Sequence, residues 1–184
     1  MENKQNLLVL DVDNTLLQTV LLPSNLADSK IHRKLLFDHF EGCRNFKGEA
    51  RAVIVPRPHL HRFTEFLGDC SNMLDIGIYS TGTASYLSTV LSSVFPWAIG
   101  NARFIWGINY CDQIDGVLVK DLNRVSEETG YPVNNIRILD DSDVARPAYL
   151  RIPIEPFEVV NLRAAAGDEE LLRSIEKIEK LISG

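Results

Sequence analysis

The chain has 184 residues, 45% of them hydrophobic, which suits one globular domain with a sizeable core and argues against disorder. Its net charge is -6 with both signs spread along the chain and no basic block, so nucleic acid is not an expected partner. No apolar run approaches the roughly 20 residues that span a bilayer, and the polar start MENKQN lacks a signal-peptide pattern.

In chain order, the first buried strand is Leu7 to Leu10, running into Asp11-Val12-Asp13-Asn14-Thr15. Two carboxylates one residue apart reach one pocket if the chain leaves strand geometry there. Asp11 can then attack phosphorus and become an aspartyl phosphate, while Asp13 protonates the leaving oxygen and later activates water. An Asx-rich turn is the plainer alternative for the same residues. From about Gln18 to Ala52 the strand–helix alternation breaks, as an insertion or flap would break it. Arg51 to Val55 within it suggests a further strand. After Arg57-Pro58, the spacing of Leu60, Phe63, Phe66 and Leu67 predicts a helix. His59 and His61 have no clustered cysteine or histidine to make a zinc site and are expected to pack or face solvent.

The second strand, Met73 to Tyr79, ends in Ser80-Thr81-Gly82-Thr83 and leads into a helix carrying Leu87, Val90, Leu91 and Val94. Hydroxyls and backbone N–H groups of Ser80 and Thr81 at such a helix start suit phosphate oxygens, or else a simple N-cap. A second insertion is expected at about Asn101 to Gly116, with Trp97, Phe104 and Trp106 as core or flap residues.

The third strand, Val117 to Val119, ends at Lys120, whose ammonium can neutralise phosphate and hold the nucleophile, or simply snorkel at the surface. A helix over Asp121 to Thr129 closes at Gly130. The fourth strand, Ile136 to Leu139, ends in Asp140-Asp141, adjacent carboxylates suited to a hard cation such as magnesium or to a capped loop. Asp11, the backbone carbonyl of Asp13 and Asp141 can complete a magnesium shell, with Asp140 orienting Lys120 or that shell. The apolar stripe Leu171, Leu172, Ile175, Ile178, Leu181 and Ile182 predicts a last helix, opened by Asp168 and Glu169.

Strands alternating with helices mean an α/β fold with a mostly parallel sheet, whose ligands bind at the carboxyl ends of the strands. All four strands end in groups useful for phosphoryl transfer. Cys43, Cys70 and Cys111 are odd in number and far apart, which suits free thiols in a reducing, cytoplasmic compartment.

These segments resemble the haloacid dehalogenase superfamily. Asp11-Val12-Asp13-Asn14-Thr15-Leu16 is similar to its motif I, Ser80 to motif II, Lys120 to motif III and Asp140-Asp141 to motif IV. Within it, the chain most resembles the small C-terminal-domain phosphatases, the NLI-interacting-factor-like group. Val55-Pro56-Arg57-Pro58-His59-Leu60 resembles that group's Arg-Pro approach to its first large helix, and Ile78 to Tyr86 its motif II segment. The resemblance implies a doubly wound, Rossmann-type domain over residues 1–184, with small flap insertions and no large cap. It implies a magnesium-dependent phosphoprotein phosphatase for phosphoserine, phosphothreonine or phosphotyrosine. A small-molecule phosphatase and a silent binding relative are the rival readings. Asn14 stands where that group usually has an acidic residue, Ser80 where it often has Thr, and Asp141 where its members often have Asn. Pro156-Phe157-Glu158-Val159 replaces its aromatic segment before the last helix. Gly184 follows the last helix closely, which leaves room for a further domain in a longer protein.

Overall fold

The structure is a computed structural model and describes residues 6–46 and 51–182. Its strands are β1 (Asn6–Leu10), β2 (Leu17–Leu21), β3 (Arg44–Asn45), β4 (Ala52–Pro56), β5 (Leu74–Tyr79), β6 (Ala102–Trp106), β7 (Asp112–Ile114), β8 (Val117–Asp121), β9 (Ile136–Asp140), β10 (Ala145–Arg146) and β11 (Arg151–Pro153). Its α-helices are α1 (Leu26–His39), α2 (Leu60–Asp69), α3 (Ala84–Val94), α4 (Pro96–Asn101), α5 (Leu122–Thr129), α6 (Leu162–Ala166) and α7 (Glu170–Ile182).

The central sheet has the order β11-β9-β1-β5-β6, and every pairing in it is parallel. From β1 the chain first builds outward through β5 and β6, then returns to the other side of β1 through β9 and β11. That reversal makes the carboxyl end of β1 a topological switch point, where doubly wound sheets bind ligands. Alternation along β1 explains why the sheet is covered on both faces. Leu8 and Leu10 join a core with Phe63 and Leu67 of α2, Leu87 and Val90 of α3, and Leu171 and Ile178 of α7. Leu7 and Val9 point the other way, into a core with Leu122 and Val125 of α5, Tyr131 and Trp106. No helix among the described residues is long and apolar enough to cross a membrane.

The expected insertion from Gln18 to Ala52 carries β2, α1 and β3, and its strands pair antiparallel with β4 in a separate sheet of order β2-β4-β3. The suggested strand at Arg51 to Val55 is the centre of that sheet. Val53 and Val55 pack against Leu36, Phe40 and Phe157 in a third core, while Ile54 faces the main one. Residues 47–50 of this stretch lie outside the described residues. His59 precedes α2 in a left-handed conformation, and His61 is exposed.

Two expectations change. The third predicted strand is β8, but it lies outside the central sheet, pairing antiparallel with β7 and parallel with β10. Val117 at its start is 54% exposed, so it could not sit between two covered faces. Asp115 and Gly116, with φ of 51° and 80°, instead close a two-residue hairpin between β7 and β8, the turn that an Asp-Gly pair favours. The second expected insertion, Asn101 to Gly116, contains β6, the edge strand of the central sheet. Arg103, exposed within it, interrupts its apolar residues and hid the strand from a search for continuous apolar runs.

Candidate active site

Ladder hydrogen bonds continue just past the strand ends and fix where the polar residues emerge. The Asp11 N–H donates to the Leu139 carbonyl at 3.0 Å, extending β1 along β9. The Ser80 N–H donates to the Trp106 carbonyl at 3.0 Å, extending β5 along β6. The chain then turns sharply after Asp11. The Leu16 and Leu17 N–H groups both return to the Val12 carbonyl, and Asn14 takes a left-handed conformation at φ 58°. Asparagine tolerates that region better than most residues. In a continued strand Asp11 and Asp13 would share one face of the sheet; the turn instead brings both to the end of the sheet, beside Lys120.

Lys120 comes from β8, outside the sheet, and is 1% exposed. Its Nζ donates to Asp11 Oδ1 at 2.5 Å and to Asp140 Oδ2 at 2.8 Å. The other Asp140 oxygen accepts from the Ser142 N–H at 2.9 Å and the Ser142 hydroxyl at 2.7 Å. Both oxygens of Asp140 therefore have protein partners. Asp141 is half-buried, and its Oδ1 accepts from the hydroxyl of fully buried Thr15 at 3.0 Å. The Thr15 hydroxyl accepts in turn from the Asp141 N–H at 3.2 Å. Arg151 donates to the carbonyls of Asp140, Asp141 and Ser142, which holds this loop against β11.

Carboxylate oxygens of Asp11, Asp140 and Asp141 lie within 4.8 Å of one another. Such crowding disfavours ionisation. Burial pushes the Asp11 carboxyl up to about 7; Lys120 pulls it down, and Asp140 and Asp141 push it further up. Burial also raises Asp13 and Asp141 above the usual carboxylate range. Burial works against the charge on Lys120, but Asp11 and Asp140 outweigh it and hold the ammonium protonated.

Ser80 is fully buried; its hydroxyl accepts from the Gly82 N–H at 3.0 Å and lowers the Asp13 carboxyl by hydrogen bonding. Thr81 is exposed beside it. Tyr86 donates its phenol proton to Asp13 Oδ1. The structure thus gathers Asp11, Asp13, Ser80, Lys120, Asp140 and Asp141 at one end of the sheet. Thr15, Tyr86 and Arg151 carried no role in the sequence, whereas Ser142 belongs to the capped-loop alternative for Asp140-Asp141 and does cap Asp140. Thr15 stood inside the first motif as a signal; Arg151 had none. The thiols of Cys43, Cys70 and Cys111 are free and raised by burial, Cys43 to about 11, so none is poised as a nucleophile.

With this geometry in view, the comparison with known proteins is decisive. Residues 6–183 match the NLI interacting factor-like phosphatase family. The chain belongs to that family. Its fold is that of the haloacid dehalogenase-like phosphatases, with no large cap. Two solved structures share the fold of this NLI interacting factor-like phosphatase. One is Fcp1, an essential RNA polymerase II CTD phosphatase, at 19% identity and a TM-score of 0.58, covering 95% of this chain and 49% of that one. The other is a fission yeast Fcp1 variant, an RNA polymerase II CTD phosphatase bound to beryllium fluoride, also at 19% and 0.58, covering 98% and 51%. The chain spans about half the length of these structures. No curated protein matches it.

Proposed function

We propose that this family member is a magnesium-dependent phosphoprotein phosphatase working through an aspartyl phosphate on Asp11, and that the chain forms one such domain. The observation that carries the reading is the meeting of Asp11, Asp13, Ser80, Lys120 and Asp141 at the carboxyl ends of β1, β5, β8 and β9. In the first half, an Asp11 carboxylate oxygen bonds to phosphorus as the ester P–O bond breaks. The electron pair stays on the leaving oxygen, which takes the proton of Asp13. In the second half, water gives a proton to the Asp13 carboxylate and attacks phosphorus; the P–O bond to Asp11 breaks, releasing inorganic phosphate. Lys120 offsets negative charge on the transferring group and on Asp11, and the Ser80–Thr81 segment binds phosphate oxygens. Catalysis of this kind rests on positioning and electrostatics.

Magnesium fits the donors. The clustered groups offer only carboxylate oxygen, with no histidine or cysteine among them. Asp11, the Asp13 carbonyl and Asp141 would hold the ion, while Asp140, occupied by Lys120 and Ser142, positions the lysine. When bound, the ion supplies charge that favours an ionised Asp11 and a neutralised phosphate. Thr15→Val removes the only side-chain hydroxyl bound to Asp141 among the described residues. It is expected to raise the magnesium concentration for half-maximal turnover about 10-fold; a titration curve that does not move would exclude this support role.

A phosphoprotein substrate is favoured by the capless fold and by the RNA polymerase II CTD phosphatases that share it. Free thiols suit a cytoplasmic, reducing setting. The deciding experiment measures phosphate release from phosphoserine, phosphothreonine and phosphotyrosine peptides, a phosphorylated RNA polymerase II CTD peptide included, with magnesium and with a chelator. Magnesium-dependent release from a peptide is the expected result. Release only from small phosphate esters would turn the reading to a metabolite phosphatase, and none at all, with magnesium bound, to a silent binding relative.

A further inference from the structure

Tyr86 sits in the first turn of α3, where the Thr83 side chain caps the helix by accepting the Tyr86 N–H at 3.3 Å. That cap sets the backbone from which the phenol ring departs. The ring stacks on Phe46, which follows β3 in the insertion, with centroids 5.8 Å apart and planes 19° from parallel. The hydroxyl meets two groups, Asp13 Oδ1 and the Thr19 hydroxyl on β2 at 2.9 Å. A phenol has one proton to give, and here it goes to Asp13, so the Thr19 hydroxyl donates to the Tyr86 oxygen. The result is a directed relay from Thr19 through Tyr86 to Asp13, each bond polarising the next.

We infer that Tyr86 is a positioning residue that aims the Asp13 carboxyl at the leaving-group oxygen, with Thr19 and Phe46 fixing its phenol in turn. This rests on the acid role proposed above for Asp13. Asp13 lies in a turn rather than a strand and is only half-buried, so packing alone does not choose its side-chain torsions. Proton transfer needs heavy atoms about 2.6–3.2 Å apart, and a misplacement of about 1 Å can cost on the order of 100-fold. By engaging Oδ1, Tyr86 leaves the other oxygen to carry the proton toward substrate. The relay also explains a feature of the insertion. It places β2 and Phe46 against α3, so the flap sheet supports the acid as well as covering the main core.

The test separates leaving groups. Nitrophenolate departs without a proton; the alkoxide of a phosphoserine peptide requires one. We would measure kcat, KM and kcat/KM on 4-nitrophenyl phosphate and on a phosphoserine peptide for the native chain, Tyr86→Phe, Thr19→Val and Asp13→Asn. Tyr86→Phe keeps the stacked ring and removes only the hydroxyl. It is expected to lose about 10- to 100-fold on the peptide and less than about 3-fold on the nitrophenyl ester. Thr19→Val should show the same bias more weakly, and Asp13→Asn more strongly. Equal losses on both substrates, a rise in KM alone, or no loss in Tyr86→Phe while Asp13→Asn shows the bias would overturn the positioning role and leave the acid role standing. An Asp13→Asn variant without leaving-group bias would sink both.

Discussion

Asp11→Asn is expected to reduce phosphate release by more than ~10⁴-fold, the scale on which enzymes lose turnover when the nucleophile is removed, while the fold stays as stable or gains stability. The amide keeps the shape of the side chain but cannot attack phosphorus. Its effect on stability follows from the surroundings. Asp11 is buried beside Asp140 and Asp141, which raises its carboxyl to about 7, above the ordinary value of 3.8 that the unfolded chain shows. A carboxyl that holds its proton more tightly when folded contributes stability below the unfolded value, and that contribution is lost as pH rises through about 7. At pH 8 without a divalent cation, the native chain therefore carries an unfavourable buried charge that the asparagine variant lacks. Lys120 keeps its contact with Asp140 at 2.8 Å in either case. Thermal unfolding at pH 8 in a chelator should place the variant at or above the native chain, the pattern of a site that trades stability for function. Residual turnover within tenfold of native would remove Asp11 from the chemistry. A lower melting temperature would make it chiefly an anchor for Lys120.

Asp168→Ala is expected to cost about 3–5 kcal/mol of stability, the range for stranding one partner of a buried ion pair. An exposed pair would matter far less, about 0–1 kcal/mol, so burial decides the size. The Arg57 side chain is fully buried, and its Nε and Nη2 each donate to an Asp168 oxygen at 2.8 Å. The same guanidinium donates to the carbonyls of Asn14, Thr15 and Glu155 and lies over the Phe157 ring, its carbon 5.6 Å from the centroid. Asp168 also accepts the Glu170 N–H at 3.0 Å at the start of α7. Alanine thus leaves a buried cation unpaired and removes a helix cap together. Because Arg57 holds two carbonyls of the turn after Asp11, turnover should fall as well. Asp168→Asn keeps a hydrogen-bond acceptor and should lose less. Urea unfolding measures the difference; a loss below about 1 kcal/mol would mean that the pair is solvated like a surface bridge.

Both predictions join groups of unequal legibility. Asp11 stood out because a run of apolar residues ended in a carboxylate, and the same local pattern marked Ser80 after β5 and Asp140-Asp141 after β9. Arg57 and Asp168 were visible only as an Arg-Pro start and an acidic helix start. They are 111 positions apart, and no spacing rule pairs residues at that distance. Lys120 was found through the apolar residues before it, yet β8 reaches the site from a hairpin outside the sheet. Its Asp-Gly turn was a readable signal that the search for buried strands passed over. β6 was missed because an edge strand tolerates an exposed charge, and Arg103 leaves only Phe104, Ile105 and Trp106 as a run.

From the sequence alone came the α/β class, the helices α2, α3, α5 and α7, the strands β1, β5 and β9, and the polar groups at their ends. All of these depend on local order, because a buried strand or an amphipathic helix writes its period into neighbouring residues. Only the tertiary structure decided which groups those residues touch. Lys120 bridges Asp11 and Asp140, Thr15 holds Asp141, and Tyr86 links Thr19 to Asp13. Each of these contacts joins separate elements, and a side chain's partner across the fold is set by how sheets and insertions pack, which leaves no period in the chain.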